Sequence, residues 1–134
     1  MLKDIPNETV VDVAVAVVPE TNEEGQEVWN VYLLNLKEHD IENVLVTSRG
    51  YGVHEGEQIK TSTLRHFLDE MKSQSFKLIE PIITDVFGLN NEYWVSFYVN
   101  KKIFDKKYLF LPESISKEFF SVIPIIGKEG VIIK

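Results

Sequence analysis

The chain of 134 residues carries a net charge of −7, with 44% apolar and 26% charged residues, the proportions of one folded domain rather than a disordered segment. No run of about 18 apolar residues occurs, so no membrane-spanning helix is expected. Cysteine is absent, which excludes disulfides, thiolate metal sites and cysteine nucleophiles and suits a reducing cytoplasm.

The charge is uneven. Residues 1–57 hold three Lys/Arg against twelve Asp/Glu, and residues 58–134 hold eleven against nine. A nucleic-acid binder presents a dominant basic face, so nucleic acid is disfavoured as a partner. The acidic half serves solubility or docking to a basic protein. In MLKDIPNETVVDVAVAVVPE the acids Asp4 and Glu8 precede the apolar stretch and Asp12 interrupts it. That is a poor signal peptide, and a cytoplasmic location is expected.

The dominant period is two. In VVDVAVAVV, residues 10–18, Val11, Val13, Val15 and Val17 alternate with Asp12, Ala14 and Ala16, which predicts a strand with one well-buried face, ended by Pro19. TNEEGQE turns the chain. WNVYLLNLKE, residues 29–38, is apolar on both faces and reads as a central strand, and NVLVTS follows after EHDIEN. SFKLIE, IITDVFG, NEYWVSFYV, KKYLFLP and GVIIK read as further strands, with a tight hairpin at Asn100-Lys101-Lys102.

Two segments resist that period. TSTLRHFLDEMK places Leu64, Phe67, Leu68 and Met71 on a helical stripe, yet its Thr-Ser-Thr start is a poor helix former, so helix and strand both stand for residues 61–72. SISKEFFSVI, residues 114–123, predicts a helix of one or two turns before Pro124. Seven or eight short strands separated by turn chemistry predict a mainly β fold, an antiparallel sandwich or barrel, with α+β as the alternative if residues 62–72 are helical.

The segments WNVYLLN and IENVLVTSRGYG, with the strand order around them, are similar to the B and C strands of immunoglobulin-like sandwiches. The resemblance implies an immunoglobulin-like β-sandwich with one or two short helices. The disulfide and core tryptophan of antibody domains are missing from the chain.

Candidate site residues concentrate in TSRGYGVHEGEQIKTSTLRH, residues 47–66, which holds both arginines and two of the three histidines. Glycines let backbone amides face a ligand and arginine offers a planar fork of donors, so Arg49, Tyr51, His54, Lys60, Arg65 and His66 form a candidate anion cradle. The spacing matches neither GxxxxGK[ST] nor GxGxxG, and the ordinary structural explanation is a long polar loop with Arg49 paired to a nearby acid. His54 with Glu55 and Glu57, or His39 with Glu38 and Asp40, lacks metal-site spacing, so no metal or other cofactor is expected. Ser48 or Ser62 with His66 and Asp69 could be assembled as a triad in most chains of this size. On NEYWVSFYV, Tyr93, Val95 and Phe97 share one face, leaving Trp94 and Tyr98 on the other as cover for the C-terminal segment or as an interaction surface.

The function these residues predict is a non-catalytic binding module with a protein partner. The alternatives are an enzyme or sensor of a small anion through residues 49–66, and a structural subunit that homodimerises through the edge at 130–134.

Overall fold

The computed structural model describes residues 9–134; the leader reading at Asp4 and Glu8 lies outside them. Ten strands follow in chain order: β1 Val13–Thr21, β2 Glu27–Asn35, β3 Ile41–His54, β4 Glu57–Lys60, β5 Leu64–Met71, β6 Ser75–Ile82, β7 Asn90–Val99, β8 Lys102–Phe110, β9 Ser121–Val122 and β10 Glu129–Ile133. They form two antiparallel sheets. The first runs β6-β2-β1-β10-β9, and the second runs β4-β3-β7-β8 with β5 also on β3.

The sheets face each other across one apolar core. Val13, Val15, Val17, Val31 and Leu33 enter it from the first sheet, and Val44, Val46, Tyr93, Val95, Phe97, Tyr108 and Phe110 from the second. β1 is more buried than alternation alone predicts. Its other face, Ala14, Ala16 and Val18, is closed by Ile123 with Ile126 packed alongside. The small alanines let that cover approach closely. In the covering loop, Ile125 has φ +67° and the Ile126 N–H donates to the Pro124 carbonyl at 2.6 Å, a tight γ-turn of the rarer positive-φ kind. Lys128 then anchors the loop on Glu20, which also accepts from the Tyr32 hydroxyl and from Asn30 Nδ2 at 2.8 Å. A Cβ on Gly130 would lie 2.4 Å from the Val17 carbonyl oxygen, so β10 packs where only glycine fits.

Several expectations are corrected by this architecture. Pro19 does not end β1, because β10 pairs only as far as Val17 and proline is tolerated where the strand has an open side. Residues 84–86 form a 3-10 turn instead of a strand. Residues 114–123 hold only the 3-10 turn Lys117–Phe119, because Phe120 turns extended to enter β9. The helical alternative at 62–72 is excluded, since Leu64–Met71 is β5. Its stripe comes from a register irregularity near Asp69, a residue with φ +60°. The extra residue turns a spacing of two into three between Leu68 and Met71.

β3 is longer than its sequence suggests. It continues through Gly50 and Gly52 to a two-residue turn at Glu55 and Gly56, with φ of +51° and +82°, the pattern of a type I′ hairpin. β4 pairs with the far half of β3 and β5 with the near half, so the two lie end to end along one strand. Thr61 joins them: its N–H donates to the Gly50 carbonyl at 2.8 Å and its hydroxyl accepts the Gly50 N–H at 2.7 Å. The β7–β8 hairpin turns at Asn100 and Lys101, both with positive φ, a conformation asparagine tolerates and lysine adopts less readily. β2 and β3 lie in opposite sheets and do not pair with each other. At the corner between β5 and β6, Lys77 Nζ donates to the Leu68 and Glu70 carbonyls at 2.6 and 2.8 Å.

Candidate functional site

Successive side chains on a strand point to opposite faces, and this divides the 47–66 segment. Arg49, Tyr51 and Arg65 lie on the outer face of the second sheet, whereas Ser48 and His66 point between the sheets.

On the outer face Arg49 stands directly across from Glu92. Its Nε–H donates to Glu92 Oε2 at 3.0 Å, and the Tyr51 hydroxyl donates to Glu92 Oε1 at 3.2 Å. Lys107 Nζ is 4.0 Å from the same carboxylate. Arg49 also lies over the Tyr51 ring, 5.3 Å from its centroid. Burial first, then the Glu92 charge and hydrogen bond, raise the Tyr51 pKa, with Arg49 opposing. Arg49 is thus paired to an acid, though to Glu92 rather than to the neighbouring Glu55 or Glu57.

Of the other candidates only Lys60 borders the same cleft as Arg49 and Tyr51. Arg65 stands opposite Thr47, and Lys60 opposite Tyr51. His54 is at the hairpin tip, exposed, 3.8 Å from Glu55. Arg49, Tyr51 and Lys60 border a shallow cleft of about 490 Å³ beside the hairpin, which neither histidine lines.

Trp94 and Tyr98 do share the outer face, and the C-terminal segment does not cover them: they are 45% and 36% exposed. Phe67 on β5 and Ile103 on β8, 61% and 56% exposed, extend the same surface. Cross-strand register sets Arg65, Thr47, Trp94 and Lys107 in one row, Phe67, Leu45, Ser96 and Asp105 in the next, and Tyr98 beside Ile103 beyond. Sequence alternation finds Trp94 and Tyr98 but misses Phe67 and Ile103, whose faces depend on irregular register and on which strand they meet.

The inner side holds a second constellation, centred on Glu80. A bulge in β6 opposite Val31 and Tyr32 inserts Ile79, so both Ile79 and Glu80 turn toward the core side. Glu80 Oε1 accepts the Ser48 hydroxyl at 2.7 Å and the His66 Nε2–H at 2.8 Å, and Oε2 accepts the Tyr93 hydroxyl at 3.0 Å. Burial first, then the charge and hydrogen bond of Glu80, push the Tyr93 pKa far up, so Tyr93 remains a donor. Ser48 and His66 therefore meet through Glu80, not through Asp69, and no serine–histidine bond forms. The carboxylate floors a cleft of about 240 Å³ between the sheets, with Pro81, Ile82, Ile83, Val86 and Leu64 as apolar walls.

No known family model, curated protein or solved structure matches the chain. The site is therefore read from its own chemistry. Among the described residues no group of three or more His, Asp or Glu side chains could hold a metal ion, and no helix is long and apolar enough to cross a membrane.

Proposed function

We propose that the chain is a non-catalytic binding module for a protein partner, and that the partner docks on the outer face of the second sheet. The observation that supports this is the exposure of Trp94, Tyr98, Phe67 and Ile103 together on one face, with Arg65 and Lys107 in the Trp94 row. Large aromatic side chains bury much area at little entropy cost, and Trp, Tyr and Arg are the residue types that dominate interface energetics. These side chains are 36–61% exposed, so a partner gains about half of the roughly 1.5–3 kcal/mol that full burial of each would contribute. The cysteine-free composition supports a cytoplasmic setting.

An anion-binding role through residues 49–66 has less support, because Arg49 is engaged by Glu92 and His66 by Glu80. Homodimerisation by strand addition at 130–134 has less too, because residues 131–133 already pair with β1.

The test is site-specific photo-crosslinking in cells, with the photoreactive group at position 67 and, as control, at Glu23 in the exposed β1–β2 turn. A discrete adduct is expected from position 67 only, lost in a Trp94→Ala/Tyr98→Ala background. Adducts of equal yield from both positions, or unchanged by the double substitution, would reject the outer face as the binding surface.

A further inference from the structure

The cleft above Glu80 has a polar floor whose donors are spent within the protein, while the Ser62 hydroxyl lies at its exposed mouth. The Ser48 and Tyr93 hydroxyl protons go to Glu80. Behind the carboxylate, outside the cleft, the His66 Nε2–H goes there as well. Both Asn91 Nδ2 protons are used, on the Val86 and Leu89 carbonyls at 2.9 and 3.1 Å. The Thr61 hydroxyl donates to the Ser62 carbonyl at 3.1 Å and accepts from Gly50. Arg49 borders the cleft, yet its guanidinium is held by Glu92 on the other face of the sheet.

What the floor still presents is oxygen lone pairs and a negative charge. A carboxylate has about four lone-pair directions, and three protein donors leave Glu80 one. Its side chain is 13% exposed, which gives that direction a route to the cleft. A ligand suited to this floor carries donors, no acceptor and a positive charge, the description of an ammonium group. The walls of Leu64, Pro81, Ile82, Ile83 and Val86 ask for an aliphatic stem behind it. At about 240 Å³ the cleft is smaller than the roughly 300–1,000 Å³ of a drug-sized pocket, so it takes one such group and excludes bulky ligands.

We propose that this interlayer cleft binds a primary alkylammonium group, with Glu80 as its counter-ion and the Leu64–Ile83 walls enclosing the alkyl chain. The group is the side-chain end of a lysine or a free aliphatic amine, which share the same chemistry. The site is on the opposite side of the second sheet from the aromatic surface and does not depend on it.

The experiment is a chemical-shift titration of the full chain with n-butylammonium chloride, n-butanol and sodium butyrate. Saturable shifts at Ser48, Gly50, Glu80 and Tyr93 are expected with n-butylammonium, at an affinity at least about tenfold tighter than n-butanol, whose lower affinity would reflect burial of the chain alone. Nα-acetyl-lysine methylamide producing the same shifts, with its Nζ-acetylated form silent, assigns the site to lysine side chains; shifts with the free amine alone assign it to small amines. Glu80→Gln should abolish binding. Should that variant not fold, Leu64→Trp at the exposed rim blocks the cleft without touching Glu80 and should also abolish it. Equal affinity for n-butanol, binding of butyrate, persistence in the folded variants, or no saturable shift overturns the assignment.

Discussion

Arg49 and Glu92 face each other across β3 and β7, joining a half-exposed guanidinium to a carboxylate only 6% exposed. A carboxylate so far removed from water needs its donors, and on this face they are Arg49, the Tyr51 hydroxyl and the more distant Lys107. Arg49 therefore works chiefly inside the molecule.

Arg49→Ala should lower stability by about 1–2 kcal/mol, the cost of leaving a mostly buried charged acceptor short of one donor. Arg49→Lys should recover only part of that, since a point charge does not reproduce the planar fork. Urea unfolding midpoints of the three proteins decide it, and an unchanged midpoint for Arg49→Ala would remove the pair from the account of stability.

Acid should loosen the C-terminal cover through Glu20. Burial alone would raise its pKa, but hydrogen bonds from Lys128, Tyr32 and Asn30 and the Lys128 charge outweigh burial, and the net shift is below the ordinary 4.5. Between the folded and unfolded values the unfolded chain holds more protons on this group. Its contribution is then complete above about pH 4.5 and is lost as pH falls through the folded value. The stability difference between wild type and Glu20→Gln should be largest near neutrality and shrink below pH 4.5, as read from denaturant midpoints across that range. A difference independent of pH would mean the carboxylate charge is not what holds the loop.

The same hydrogen-bonded network shields Tyr32, whose pKa is raised to about 12, by burial first and by Glu20 second. Ultraviolet titration of the tyrosinate band should show one group, Tyr32, ionising near pH 12, ahead of Tyr93 and Tyr108, which burial holds higher still. Replacing Glu20 with Gln should bring that group down toward 10. No movement would assign the shift to burial alone.

Gly130→Ala should destabilise by about 1–3 kcal/mol, since the new methyl would meet the Val17 backbone and β10 would have to retreat from β1. Thermal unfolding against a Gly25→Ala control separates this clash from the general cost of replacing glycine. Gly25 has open space around it but φ +80°, so the control carries backbone strain without a clash. A smaller loss at 130 than at 25 would contradict the close approach.

Much of the architecture is legible in the residues. Val13, Val15 and Val17 alternate plainly, Tyr93, Val95 and Phe97 separate from Trp94 and Tyr98, and Asn100-Lys101 announces its turn. Two of the misses share a cause. Bulges near Asp69 and at Ile79 each add one residue to a strand, and a single extra residue inverts the faces of everything beyond it. Leu68 and Met71 then imitate a helix, while Glu80 turns from an apparent surface acid into the floor of a cleft. Gly50 and Gly52 suggested a loop, whereas ladder pairing to β7 on one side and β4 on the other carries β3 straight through them. The β4 side is local, closed by the Glu55-Gly56 turn, but the β7 side depends on residues about forty positions away.

Lys77, reaching from β6 to the Leu68 and Glu70 carbonyls, occupies acceptors that the outer edge of β5 would otherwise show to another chain. The opposite margin of that sheet, β8, is studded with Lys102, Lys106 and Lys107. Along β5 and β8 the sheet thus resists the backbone-to-backbone zipping by which sheets recruit any extended segment indiscriminately. A partner is left to recognise the broad face between them, where identity is decided by the shapes and charges of side chains, and promiscuous stacking into fibres is discouraged by the same two fences.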